Sequence, residues 1–381
     1  MVCTAPRGPT VRARPRHDMT ELIQTPEALA PHLERWAHRT WLTVDTEFIR
    51  VDTYYPKLCL IQIGDGEHAV CVDTLALPSL EPLLDVLYAP GSIKVFHAAA
   101  QDLEILVQLR RQCPQPLFDT QIAATLLGIG DQIGYAGLIE RTLGITLDKS
   151  LSRTDWARRP LSEAELAYAA ADVEHLATIF PRLQDDLAAR GRLGWLAEDC
   201  ARLSKPETYE TRPEDAWERL RGLARMGAPE QTVAARLAAW RETEAQKRDR
   251  PRKWILDDDA VYRLAERQPL SMGQLEALGV LPAKTLERHG PHLLELIAEA
   301  RDEPARKRYA DEELSAEQKA RLREIQTAVQ ARAAQLGLPP GYLAPRADLV
   351  ELLRRGETAQ VPVLAGWRLE VCGDDLLRQF F

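Results

Sequence analysis

No stretch of the 381-residue sequence is apolar for long enough to cross a bilayer, so no membrane role is expected. Its cysteines, Cys3, Cys59, Cys71, Cys113, Cys200 and Cys372, are scattered, without the close pairs of zinc sites or small disulfide frameworks. That scatter points to a reducing compartment, and a cytoplasmic protein is expected. An excess of positive charge is also missing: 49 Lys and Arg against 57 Asp and Glu give a formal net charge of -8. A uniformly basic nucleic-acid binder is therefore disfavoured, although a local basic patch is still compatible with an acidic whole. Residues Met1 to His17, rich in Arg and Pro, contain neither acids nor an apolar core, so they make no secretory signal. A disordered tail over residues 1–19 is expected, with a start at Met19 as the alternative.

What is present, 45% hydrophobic and 28% charged residues over this length, describes a soluble globular chain of two or three compact units. "TPEALAPHLERWA" reads as an amphipathic helix leading into a strand, "WLTVDTEFIR". "KLCLIQIGDGEHAVCVDTL" places two apolar runs around Asp65-Gly66, a hairpin signal, and the three strands make an antiparallel meander. "IKVFHAAA" offers a further strand entering the helix "QDLEILVQLRRQ", and from there helices dominate. Ser162 with Glu165 three residues on forms a capping box, the start of a helix expected to run to Asp186. The polar, proline-containing "SKPETYETRPED" reads as a linker, and a second break is expected near "RDEPARKRYADEELS".

The strand at Asp45 raises the chemical question. Side chains alternate along a strand, so Leu42, Val44, Thr46 and Phe48 share one face while Asp45 and Glu47 lie together on the other. Neighbouring carboxylates repel unless a proton or cation sits between them, although an antiparallel strand with one wet face would also carry them. Asp102 lies near a helix start, where a negative charge suits the macrodipole whether or not it binds anything. Asp172 follows Tyr168 by four residues and shares its helix face, beside a packing set of Leu166, Ala169, Ala170, Val173, Leu176 and Phe180. If all four acids met, only cations would make the cluster tenable. Magnesium prefers oxygen ligands, and a pair of such ions stabilises the attacking and leaving oxygens of phosphodiester hydrolysis. Tyr168, a poor base at neutral pH, would then position the attacking water.

The segments "VDTEFIR", "TYYPKLCLIQIGDGEH", "FHAAAQDLEIL", "FDTQIAATLLG" and "LDKSLSRTDWARRPLSEAELAYAAADVEHL" closely resemble the ribonuclease D family of the DEDD exonuclease superfamily. The resemblance spans about Thr20 to Ser204. It implies an α/β ribonuclease H-like exonuclease domain, a mixed sheet flanked by helices, over residues 20–204. By the same resemblance Asp45, Glu47, Asp102 and Asp172 are catalytic metal ligands for two Mg2+ (or Mn2+) ions, and Tyr168 is the catalytic tyrosine. A tyrosine four positions before the last acid marks one branch of that superfamily; the other has a histidine five before it. Asp119 matches a family segment without being a ligand, and is read as a residue that caps or orients a loop. His97, at a strand end, is read as a satisfied core histidine.

A linker is expected over residues 205–214, after which two small all-α HRDC-like domains are implied, over 215–300 and, more divergent, 301–381. The first is carried by "LAAWRETEAQKRDRPRKWILDDDAVYRLA" and the second by "LPPGYLAPRADLVELLRRG". Candidate RNA contacts are Lys149, Arg153 and Trp156, with Arg158 and Arg159 nearby, and the basic run Lys247, Arg248, Arg250, Arg252 and Lys253. Solvated charge beside Asp257, Asp258 and Asp259 is the plainer reading of that run. The resemblance implies a monomeric 3'-5' exoribonuclease that trims trailing nucleotides from tRNA precursors and other small structured RNAs, releasing nucleoside 5'-monophosphates. A single-strand DNA exonuclease and a catalytically silent RNA-binding protein are the alternatives.

Overall fold

The computed structural model describes residues 20–148, 150–151, 154–304 and 314–381. The expected tail over 1–19, Lys149, Arg153 and most of the second expected break lie outside the described residues. The chain opens with β1 (Glu21–Ile23), α1 (Pro26–Ala37), β2 (Trp41–Ile49), β3 (Lys57–Gly64) and β4 (Ala69–Asp73). There follow α2 (Glu81–Leu87), β5 (Ile93–Phe96), α3 (Ala100–Arg110), β6 (Leu117–Asp119), α4 (Thr120–Leu126) and α5 (Tyr135–Leu143). Two longer helices, α6 (Glu163–Ala189) and α7 (Leu193–Leu203), close this part.

The six strands form one mixed sheet in the order β1-β4-β3-β2-β5-β6. β2, β3 and β4 are the expected antiparallel meander, with Asp65 and Gly66 in the turn, while β1, β5 and β6 add parallel pairings. β1 and β6, three residues each, are too short to show a period-two pattern, which is why the sequence reading passes over them. One face of the sheet carries Leu42, Val44, Ile61, Ile63, Val70 and Val72, in the same apolar core as Trp36 of α1, Leu83 of α2 and Leu106 of α3. α6 packs on β2, β3 and β4 through Leu166, Ala169, Ala170 and Val173. Its capping box is formed as expected: Ser162 Oγ accepts from the Glu165 N–H, and Glu165 Oε2 accepts from the Ser162 N–H at 2.7 Å.

The remainder is helical: α8 (Ala228–Arg248), α9 (Arg252–Ile255), α10 (Asp258–Arg267), α11 (Met272–Ala277), α12 (Ala283–Asp302), α13 (Ala316–Leu336), α14 (Pro340–Leu343), α15 (Arg346–Arg355) and short turns to the end. Residues 216–300 close around a core of their own, built on Val233 and Leu237 of α8, Val261 and Leu264 of α10, and Ile297 of α12. The final segment differs. Leu322, Ile325 and Val329 of α13 and Leu352 of α15 join the core of the first domain. α7 is the seam: Trp195 stacks on Trp367 with ring centroids 4.4 Å apart, and Asp199 is held by Arg368 and, at 2.5 Å, by the Tyr342 hydroxyl. Among the described residues, no helix is long and apolar enough to cross a membrane.

Candidate active site

The strand alternation places Asp45 and Glu47 on the face of β2 that α6 covers, and long-range contacts then fix where α6 lies. Thr43 Oγ1 donates to the Val173 carbonyl at 2.9 Å, tying α6 to β2 one residue beyond Asp172. Gly64 permits that approach, because a Cβ there would stand 2.4 Å from Thr43 Oγ1 and 3.1 Å from the Val173 carbonyl. Gly64→Ala is therefore expected to push α6 off the sheet, costing about 1–3 kcal/mol by overpacking; a lowered thermal midpoint checks this. Tyr135 adds a second tie, its hydroxyl donating to the carbonyls of Ala171 and Asp172. Near the end of β2 the pairing shifts: Glu47 faces Leu60 but Phe48 faces Leu58, so Cys59 is an extra residue on β3.

As a result, carboxylate oxygens of Asp45, Glu47 and Asp172 lie within 4.8 Å of one another. Asp102 is placed differently from the meeting of four acids that the sequence suggests. It stands in the first turn of α3, 7% exposed, its Oδ1 accepting from Thr46 Oγ1 at 2.5 Å, and it is not among the three carboxylates grouped within 4.8 Å. It is still close enough for its charge to be felt by Glu47. The turn that presents it is shaped by Asp119, whose carboxylate accepts from the N–H groups of Ala98, Ala99, Gln121 and Ile122. Ala98 there has φ +56°, a left-handed conformation that alanine seldom adopts and that these bonds hold. Asp119 thus caps α4 and orients a loop; His97 Nδ1 is bonded to Thr120 Oγ1 and the ring stands edge-on to Tyr135, but its buried Nε2 has no hydrogen-bond partner, so the histidine is only half satisfied.

The electrostatics are those of negative charges crowded out of water. Burial, then the charge of Asp172, raises the Asp45 carboxyl well above the ordinary range; burial, then Asp45, does the same for Asp102. Glu47 is pushed to about 9 by burial and the neighbouring acids, and Asp172 to about 7 by burial. Tyr168 stands one helical turn before Asp172 and rests on Trp156, ring centroids 6.3 Å apart. Burial and the charges of Asp172 and Glu47 raise its phenol to about 12, so it is a hydrogen-bond donor at neutral pH. A cavity of 1510 Å³ opens onto Asp45, Tyr168 and Asp172 and runs between α6 and α5.

Several expected RNA contacts are redirected by packing. Trp156 is 3% exposed, enclosed with Leu161 and Leu166 beneath Tyr168, and has no face for a base. Arg158 pairs with Glu165, and Arg159 with Asp73 and the Cys59 carbonyl. In the basic run, Arg252 is held by Glu242 and lies over Tyr54, Arg250 contacts Asp52, and Arg248 pairs with Glu244. The contacts of Arg250 with Asp52 and of Arg252 with Tyr54 tie the residues after α8 to the segment after β2, where Asp249 Oδ1 also accepts from the N–H groups of Tyr54 and Tyr55. Two of the five cations, Arg250 and Arg252, therefore serve an interdomain seam; Arg248 pairs within α8, and Lys247 and Lys253 are exposed.

A family model described as 3'-5' exonuclease matches residues 20–188, and an HRDC domain model matches residues 230–297. A ribonuclease D of Granulibacter bethesdensis is 39% identical over 374 residues, covering 96% of this chain and 94% of the relative. One from Zymomonas mobilis is 40% identical over 367 residues, covering 93% of each. The crystal structure of Escherichia coli RNase D, described as an exoribonuclease involved in structured RNA processing, superposes with a TM-score of 0.85 at 31% identity. That superposition covers 94% of this chain and 98% of the other.

Proposed function

Since the chain belongs to the ribonuclease D family and is a 3'-5' exoribonuclease, we propose that it works with two Mg2+ (or Mn2+) ions held by Asp45, Glu47, Asp102 and Asp172. The observation that carries this reading is the set of half-buried, clustered carboxyls whose mutual repulsion a divalent cation would relieve. All its donors are oxygens, the kind such hard ions take. Bound there, the ions would polarise the phosphodiester and the attacking water. The chain's own part is then to hold the scissile phosphate over the carboxylates and exclude other nucleophiles. Tyr168, resting on Trp156, donates a hydrogen bond that orients the attacking water or the phosphate oxygen.

The substrates in this reading are the 3' trailers of tRNA precursors and other small structured RNAs, released as nucleoside 5'-monophosphates by a monomeric, cytoplasmic enzyme. In this reading the divisions are an exonuclease unit over 20–204, a linker over 205–214, a helical unit over 215–300 and a last helical segment over 301–381 that packs into the core of the first. Lys247 and Lys253 are the exposed cations we assign to RNA phosphates, together with Lys149 and Arg153. The test is the rate on a 3'-extended tRNA against a DNA strand matched to its single-stranded trailer. Preference for the RNA supports the reading; equal or faster DNA cleavage turns it toward the deoxy-substrate alternative.

The carboxyls also predict how stability depends on pH. Between about pH 4 and 9 the folded, metal-free protein binds more protons at Glu47 and Asp172 than the unfolded chain does. Stability in chelator is accordingly expected to fall as pH rises through that window. A bound cation keeps the carboxylates ionised and removes the fall, so the gap between the melting temperatures in magnesium and in chelator should widen with pH. Thermal scans across the window check this.

A further inference from the structure

Asp45, Gln62 and Cys71 form one rung across β2, β3 and β4, each paired with the next. Residues directly opposite in an antiparallel ladder point to the same face with Cβ atoms about 4.5–5.5 Å apart. The Gln62 side chain therefore stands beside Asp45, on the face that α6 covers. It is 0% exposed, and neither Oε1 nor Nε2 has a hydrogen-bond partner. A buried amide with both ends unpaired is costly, and an apolar side chain of similar shape would cost less there. The neighbouring donors are engaged elsewhere. Thr43 Oγ1 donates to Gly64 and Val173, and the Cys71 thiol to Leu166. Of the acids on this face, the Asp45 carboxylate is the one set directly across the ladder, within the reach of a glutamine.

We propose that Gln62 is the positioning residue of Asp45. Its Nε2–H donates to the Asp45 carboxylate when a cation is bound, fixing the carboxylate's orientation toward the ion. This rests on Asp45 being a metal ligand. Gln62 would touch neither substrate nor ion, so its effect is on how firmly the site holds the ion.

The test is calorimetric titration of the full chain with Mg2+, for wild type and Gln62→Met, beside thermal unfolding of both in chelator. Methionine keeps the length and bulk and deletes both hydrogen-bonding ends. Magnesium affinity is expected to fall about ten- to a hundredfold, the usual effect of removing a residue that orients a metal ligand. The melting temperature in chelator is expected to be unchanged or higher, because an unpaired amide has been removed. At saturating magnesium kcat should return to within a few-fold of wild type, which a lost catalytic group would not allow. Wild-type affinity in the variant overturns the proposal, as does a loss of affinity accompanied by a lowered melting temperature in chelator. If wild type itself takes up no Mg2+, the site reading fails and this proposal with it. Gln62→Leu, also without a donor, replaces the methionine variant should that one not fold.

Discussion

Replacing Asp172 with alanine is expected to lower the rate of 3'-nucleotide release about a thousandfold or more, while leaving the chelated protein at least as stable as wild type. Asp172 supplies one of three carboxylates lying within 4.8 Å of one another, and alanine leaves only two acids in that cluster, with Asp102 as the remaining proposed ligand. Charge stabilisation by bound metal is worth several kcal/mol, and about 4 kcal/mol corresponds to a factor of roughly a thousand in rate. The stability half of the prediction has the opposite sign. Asp172 adds to the repulsion that raises Asp45, Glu47 and Tyr168, so its removal relieves the folded, metal-free protein. Single-turnover rates and thermal midpoints in chelator measure the two halves. A variant that loses activity and unfolds together would point to a packing role instead.

The second large effect is at Tyr168. Phenylalanine preserves the ring that rests on Trp156 and deletes only the hydroxyl, so the helix and cavity are unchanged. Loss of one well-placed donor costs about a hundredfold or more in kcat, and KM should move little. The pH profile separates the donor role from a base. With its phenol raised to about 12, Tyr168 stays protonated over the working range. The wild-type rate should therefore show no rise attributable to this residue as pH climbs from neutrality towards 10. A rate that climbs across that interval in wild type and is flat in Tyr168→Phe would make the tyrosine a base.

The parts of this site visible in the sequence are those that local rules govern. Alternation along β2 put Asp45 and Glu47 on one face, helical spacing put Tyr168 beside Asp172, and the Ser162 box marked the start of α6. Asp119 could be read as an acid that caps or orients a loop because that is the commoner role of such an acid; its bonds to Gln121 and Ile122 are local, but those to Ala98 and Ala99 cross about twenty residues and were not legible. What local rules do not contain is the contact across 130 residues between Thr43 and Val173, or the Gly64 backbone that permits it. Nor do they show that Asp102 turns to Thr46, since either partner alone is an ordinary side chain on an ordinary element.

The nucleic-acid side was harder to read for a related reason. A tryptophan among arginines looks the same in sequence whether it stacks on a base or fills a core, and the burial of Trp156 decides for the core. Arg252 looks like a phosphate ligand until Glu242 and Tyr54 are seen around it. Opposite charges that find one another in the fold are invisible in a count. The last helical segment was legible as helices, but that it shares the core of the first domain depends on α7, whose Asp199 and Trp195 have their partners over 140 residues away.

The measurement that bears most directly on the central claim is cleavage of a 3'-extended tRNA labelled at its 5' end. Wild type and Asp172→Ala would be compared in magnesium and in chelator. The account predicts a ladder shortening stepwise from the 3' end in wild type with magnesium, and none with chelator or in the variant. Shortening that persists in chelator, or in Asp172→Ala at the wild-type rate, would contradict a metal site built on these carboxylates.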